Sequence, residues 1–356
     1  MKLARQTACI AAFGLSLLVP AQATVAAAEF YSTTETFTAP EHLPFVDVPL
    51  NRALAVEAGE ARDLLVTVVA TPDGRLERRA PSRRQVGEFM RLLAAERREM
   101  LGGSPPRQKA RLEPGHDPDA GRHGLDPAVA EQLEPPQEDP VGPQSVIGRD
   151  SRQQIVDTTG YPYRVVGLVG NHCTGTLIGP RHVLTAGHCV YDISTDQWFA
   201  NVDFTPAQSG LNRPFGTVGV RAVLALDSWV TGHRRDFDIA MLILDQDVGE
   251  QVGWMGFGVA KLKPGKRVII NGYPGDKPEG TMWYATCPLR INQPARLYYG
   301  CDTFGGMSGS AVHRVVRNDV VVYAVHAYGV DSTGLNGATR INRAFFEMLL
   351  AWKSEH

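Results

Sequence analysis

Three short stretches of this chain hold side chains of the kind that break a carbonyl–heteroatom bond. Thr185-Ala186-Gly187-His188-Cys189 sets a histidine behind a turn of small residues. Asp236-Phe237-Asp238-Ile239-Ala240-Met241-Leu242 places an aspartate at the head of an apolar run. Gly305-Gly306-Met307-Ser308-Gly309-Ser310 puts a serine inside a glycine-rich turn. A serine hydroxyl attacks a carbonyl at neutral pH only when a base takes its proton and donors receive the oxyanion. Ser308 is the candidate nucleophile and His188 the candidate base. Asp238 would orient the imidazole and stabilise its charged form. Asp236 is a nearby alternative acid, but Asp238 directly abuts the apolar run. Glycines at 305, 306 and 309 permit a tight turn that leaves the amides of Gly306 and Ser308 free to converge as an oxyanion hole. Singly, each residue has a plain structural explanation: a buried histidine bonded to backbone, a strand-end aspartate, a glycine-rich hairpin. Together, in the order His, Asp, Ser, they make a catalytic triad. An α/β-hydrolase would run Ser, Asp, His and carry Gly-x-Ser-x-Gly; Gly-x-Ser-x-Ser at the end of the series fits neither rule.

The segments that must position these residues lie in the last 212 of 356 positions. From Ser145 onward, short β-type runs alternate with turns, among them Arg164–Val169, Thr174–Ile178, His182–Thr185, Thr217–Leu226, Ile239–Leu244, Arg267–Asn271, Ser310–Val316 and Val320–Tyr328. That texture predicts an all-β barrel or sandwich. Only Asn342 to Trp352 reads as a helix, capped by Asn342, with Phe345, Phe346, Leu349 and Trp352 turned inward. The four cysteines of this half, Cys173, Cys189, Cys287 and Cys301, imply two disulfides in an exported chain. Three pairings are possible, and the sequence neighbours Cys173–Cys189 and Cys287–Cys301 are favoured. Zinc is disfavoured, because no Cys-x-x-Cys or close histidine pair completes a site.

The front of the chain is of another kind. Lys2 and Arg5 precede an apolar run from Ala8 to Val19, and Ala21-Gln22-Ala23 closes it, which predicts a secretory signal peptide over 1–23. The run is too short for a membrane span, and Cys9 would leave with it. Residues 24–101 read as a small pro-region, with a strand near Asp63 to Ala70 and a helix from Ser82 to Leu101. Ser82 and Gln85 form a capping-box pair, while Val86, Phe89, Met90 and Leu93 recur at helical spacing. Residues 102–144, rich in Pro, Gly and charge, read as an exposed linker belonging to the same propeptide. The net charge of −2 says nothing about partners, and no run of like charge is long enough to suggest nucleic acid or a membrane surface, so neither is expected.

From Ser145 to its end the chain resembles the glutamyl endopeptidases, secreted bacterial members of the chymotrypsin-like (trypsin-like) serine proteases. The resemblance rests on Ser145-Val146-Ile147-Gly148, Thr159-Gly160-Tyr161-Pro162-Tyr163-Arg164, Cys173-Thr174-Gly175-Thr176-Leu177-Ile178-Gly179-Pro180, Val252-Gly253-Trp254, Gly280-Thr281-Met282-Trp283 and Ser308-Gly309-Ser310, in that order. It implies two antiparallel six-stranded β-barrels over 145–356 with a C-terminal helix, and a mature chain starting near Ser145 or Val146. Protein or peptide substrates and the protein's own propeptide would be its partners. It would act as a monomer, without cofactor or metal. Digestive relatives carry an aspartate before the nucleophile to receive the freed amino terminus. Met307 stands there instead, so activation must differ.

The same resemblance makes His326 and Thr303 the receptors of a substrate glutamate carboxylate. Left to its own residues, His326 is as well explained as a core histidine. Asp302 lies six residues before Ser308, where trypsin-type enzymes place the aspartate that binds Lys or Arg. Turned into the pocket, it would repel glutamate; turned away, it could pair with His326. Three readings follow: cleavage after Glu or Asp, cleavage after Lys or Arg, or a catalytically silent protease-shaped binding protein.

Overall fold

The computed structural model describes residues 62–100, 111–119, 145–260, 262–317 and 319–356. The expected signal peptide, Cys9, residues 24–61 and most of the expected linker lie outside the described residues. The N-terminal segment opens with a hairpin of β1 (Thr67–Ala70) and β2 (Leu76–Arg79), then α1 (Arg83–Met100) and the short β3 (Arg111–Glu113). Helix α1 begins with the predicted capping box: Gln85 N donates to Ser82 Oγ at 3.2 Å, and Ser82 N to Gln85 Oε1 at 2.5 Å.

From Ser145, β4 (Gln153–Gln154) leads to β5 (Val166–Val169), β6 (Cys173–Leu177), β7 (His182–Thr185), a small hairpin of β8 (Tyr191–Asp192) and β9 (Gln197–Trp198), β10 (Phe204–Pro206), β11 (Val220–Leu226), α2 (Asp227–Val230) and β12 (Ala240–Leu244). Six of these strands pair antiparallel in the order β10-β5-β6-β7-β12-β11, and a bridge from Phe204 to Val218, just ahead of β11, draws the two ends together. After α3 (Val248–Val252) come β13 (Gly256–Val259), β14 (Arg267–Gly272), β15 (Trp283–Asn292), β16 (Arg296–Tyr299), β17 (Ala311–Val316), β18 (Asp319–Tyr328) and β19 (Asn336–Arg340). Strands β14-β15-β16-β19-β18-β17 close completely, since β17 pairs with both β14 and β18. These are the two barrels of a chymotrypsin-like fold. Closure removes sheet edges that would otherwise carry unpaired backbone groups.

Helix α4 (Arg343–Glu355) ends the chain, with Asn342 Oδ1 accepting from Phe345 N at 3.0 Å. It buries Phe345, Phe346, Leu349 and Trp352 against the larger of two apolar clusters. That cluster runs through the first barrel and also takes in Leu65, Val68, Val69, Phe89 and Leu92 of the N-terminal segment. The second, with Val268, Ile270, Leu289 and Tyr299, fills the second barrel.

Two expectations are corrected. Residues 111–119 are not exposed linker: β3 pairs with β13, whose outer edge would otherwise be open. Besides the two-residue strands β4, β8 and β9, two longer barrel-region strands went unread: β13 holds two glycines, and β16 begins on Arg296, so neither shows the alternation that marks a half-buried strand. Their neighbours, not their own pattern, make them strands.

Three barrel histidines are kept neutral by burial. Desolvation, the largest cause for each, pushes His182, His313 and His326 down to about 4. The unfolded chain takes up protons at these positions near 6.5, whereas the folded chain resists until about 4. Stability is therefore fully present above 6.5 and drains as pH falls through that window. The expected outcome is a thermal midpoint that drops from pH 6.5 to 4, with a shallower slope in His313→Gln. An unchanged slope in that variant would contradict the assignment.

Candidate active site

His188 sits on the single helical turn Gly187–Cys189 directly after β7. A Cβ on Gly187 would stand 2.9 Å from the Trp229 indole, so only glycine lets this turn pass so close. Asp238 follows the turn Arg235–Phe237 and is wholly buried. Its two oxygens serve one residue: Oδ2 lies 2.8 Å from His188 Nδ1, and Oδ1 accepts from His188 N at 2.9 Å. A carboxylate at Nδ1 holds the ring hydrogen there and leaves Nε2 as the acceptor for a serine proton. Asp236 is engaged elsewhere, accepting from Arg296 Nε at 2.6 Å.

Ser308 belongs to the other barrel, in the turn before β17. What registers it against His188 is Thr174, the second residue of β6. Thr174 N donates to Ser308 O at 2.8 Å, and its Oγ1 donates to Gly306 O at 2.8 Å while accepting from Tyr273 N at 3.0 Å. Thr185 Oγ1 donates to Thr174 O at 2.9 Å. The neighbouring Cys173 is joined to Cys189, next to His188. Base loop and nucleophile turn are thus tied to adjacent residues of one strand. Sequence reading passed over Thr174 as a strand residue; its place beside Cys173, whose favoured partner Cys189 follows the base, was the available signal.

In the turn itself, Gly306 has φ +96° and Gly309 φ +85°. A Cβ at Gly309 would fall 2.0 Å from Thr174 O. Met307 N donates to Phe304 O, Gly309 N to His326 O and Ser310 N to Met307 O. The amides of Gly306 and Ser308 give no such bond among the described residues, which leaves them available to an oxyanion. Cys173, Cys189 and His188 lie as close together as metal ligands would, but the two sulfurs are bonded to each other and offer no thiolate. The second disulfide, Cys287–Cys301, ties β15 to the residue before Asp302.

The candidate pocket residues divide. Asp302 is buried, with Oδ1 accepting from Ile147 N at 2.7 Å and Oδ2 from Ser151 N at 2.7 Å and Ser151 Oγ at 2.5 Å. It therefore does not pair with His326, as the sequence had allowed; its charge is used by the segment after Ser145. That segment is held further by Thr303 N and Asn336 Nδ2, which both donate to Ser145 O, and by Arg152, which grips Asp276 with both guanidinium nitrogens. His326 is buried, its Nδ1 2.7 Å from Tyr299 Oη and 3.2 Å from Gly337 O. Thr303 Oγ1 is buried with no partner.

The trypsin family matches residues 151–345. A glutamyl endopeptidase of Bacillus licheniformis is 35% identical over 229 residues, which span 62% of this chain and 72% of that protein. The chain belongs to the glutamyl endopeptidase family. A solved structure of a Glu endopeptidase in complex with MPD matches with a TM-score of 0.55 and 29% identity, covering 59% of this chain and 99% of that one. A Bacillus subtilis protein named extracellular metalloprotease is 32% identical over 226 residues, 60% of this chain and 71% of that protein. As a member of this glutamyl endopeptidase family, the chain is a trypsin-like serine endopeptidase.

Two substitutions probe the frame. Thr174→Val keeps the shape but strands Gly306 O and Tyr273 N, a loss of about 1–3 kcal/mol. Steady-state kinetics should show kcat reduced more than KM is raised, because the turn and not the substrate loses its bonds. Asp302→Asn leaves the preferred substrate residue unchanged while speeding hydrogen exchange at the amides of Ile147 and Ser151; a changed preference would return Asp302 to the pocket.

Proposed function

We propose that this protein is a secreted endopeptidase that cuts after glutamate, and less readily after aspartate, through Ser308, His188 and Asp238. His188 Nε2 takes the Ser308 proton as Oγ bonds to the scissile carbonyl carbon. The oxyanion is received by the amides of Gly306 and Ser308. The proton then passes to the leaving amine, and the C–N bond breaks to give an acyl-enzyme. Water, deprotonated by the same imidazole, releases the acid and restores Ser308. Asp238, already bonded to His188 through both oxygens, stabilises the imidazolium without taking the proton.

One observation supports glutamate above all: the Thr303 hydroxyl is buried and unpartnered, which is costly unless a ligand completes it. Its backbone N and the Asn336 amide share Ser145 O, and Asn336 adjoins Gly337, whose carbonyl oxygen lies 3.2 Å from His326 Nδ1. Receptor hydroxyl and imidazole are therefore a few hydrogen bonds apart. With Nδ1 accepting from the Tyr299 hydroxyl, the neutral ring carries its hydrogen on Nε2, where it can donate to a carboxylate. A Lys or Arg side chain would find Asp302 already satisfied by three donors.

Maturation would cut the chain ahead of Ser145. Gln144–Ser145 does not follow a glutamate, so the cut there falls to another protease, or to trimming after a first cut at Glu134 or Glu138. The two disulfides suit an oxidising compartment. Cleavage-site profiling on a mixed peptide library tests the proposal. The expected result is cuts after Glu, lowered about 10- to 100-fold in kcat/KM by His326→Ala, as loss of a hydrogen bond to a charged group predicts. Ser308→Ala lowers turnover by roughly 10⁶-fold. Cuts after Lys or Arg, or none beyond the Ser308→Ala blank, would overturn it.

A further inference from the structure

The segment ahead of the protease domain is docked in a way that a disposable inhibitor does not require. Strand β1 extends the first barrel's sheet by pairing with β11 from Thr67–Leu226 to Ala70–Val223. Strand β3 pairs with β13 on the second sheet, and His116 and Trp254 exchange backbone bonds of 2.8 and 2.7 Å. One segment thus covers an edge on each sheet. Helix α1 packs along α4, bringing Phe89 to 6.1 Å from Phe237, the residue before Asp238.

The protease side is made for this contact. Glu347 of α4 is buried, with a side chain only 4% exposed, and its ion-pair partners Arg84 and Arg111 both come from the segment. Arg164 is buried between Asp117, at 2.7 Å, and Asp119, at 3.0 Å. The Trp352 indole donates to Thr67 Oγ1 at 2.9 Å in a buried setting. Gly253, at φ +84°, would carry a Cβ 2.4 Å from His116 O. Among the described residues, no hydrogen bond, ion pair or ring contact joins 62–119 to His188, Ser308, Thr303 or His326.

We propose that residues 62–119 stay on the protease after the chain is cut ahead of Ser145, as a non-covalent subunit of the active enzyme. Leaving would expose one continuous apolar core, unpair two sheet edges and take from Glu347 and Arg164 the ion-pair partners that the segment supplies. Among the described residues, the segment's approach to the triad is Phe89 against Phe237, beside Asp238, and it makes no polar or ring contact with His188 or Ser308. This rests on the maturation cut proposed above, but not on the residue preferred at the cleavage site.

The test imposes the cut. In full-length Ser308→Ala protein, residues 139–144 are replaced by the recognition sequence of a site-specific viral protease that cleaves ahead of Ser145. After digestion, gel filtration and intact-mass measurement should find both pieces in one peak at a 1:1 ratio. Separation of the pieces overturns the proposal, whether 145–356 then stays in solution or precipitates. Arg84→Glu with Arg111→Glu alters only the N-terminal piece and is expected to weaken its hold at least a hundredfold. An unchanged hold would overturn the assigned contacts. Failure of the natural protein to be cut would count against the maturation scheme alone.

Discussion

Thr174 is the point on which the catalytic geometry turns. Its amide, carbonyl and hydroxyl are all committed: to Ser308 O, to the Thr185 hydroxyl, and to Gly306 O with Tyr273 N. Four bonds converge on one fully buried residue, two of them from the nucleophile turn of the second barrel. A catalytic serine and its base need placement within tenths of an ångström, yet here they ride on separate barrels joined by a connection that could flex. Backbone bonds across the barrel contact solve this more rigidly than side-chain packing, because they fix direction as well as distance. The Cys173–Cys189 bridge carries the same registration to His188.

Charge is treated alike throughout. Every deeply buried ionic group in the site region has its partners in place: Asp238 with His188, Asp302 with Ile147 and Ser151, Arg152 with Asp150 and Asp276. An unpaired charge at such depth would be prohibitive. Among the described residues, the unpartnered buried atoms near the site are neutral ones, the Thr303 and Ser310 hydroxyls and Asn336 Oδ1.

Much of this was legible in the sequence. The helix cap at Asn342 and the capping box at Ser82 depend on local spacing, which a sequence displays, and the His188–Asp238 pair was read from two short motifs. The neighbour pairing of the cysteines held because short loops close readily. Asp302 was not legible. Its position in the chain matches a pocket residue, but the direction of a side chain depends on which donors surround it, and these come from residues more than 150 positions away. Strand β3 was hidden for a related reason: three residues in a proline-rich stretch carry no pattern, and only the open edge of β13 makes them a strand. Thr174 looked ordinary because half of its bonds use backbone groups that every residue has, and the partners of its hydroxyl lie about 100 and 130 positions away.

The bonds from Asp302 go to interior amides and a hydroxyl, not to a chain terminus. An amide exists whether or not the chain has been cut, so the wall formed by Ser145 to Arg152 is assembled in the uncut protein. In enzymes that wait for a new ammonium group, proteolysis supplies the charge that completes an unfinished site. Here the His188–Asp238 pair and the Asp302-held wall are both in place while the chain is whole, so a cut has no charge to supply to them.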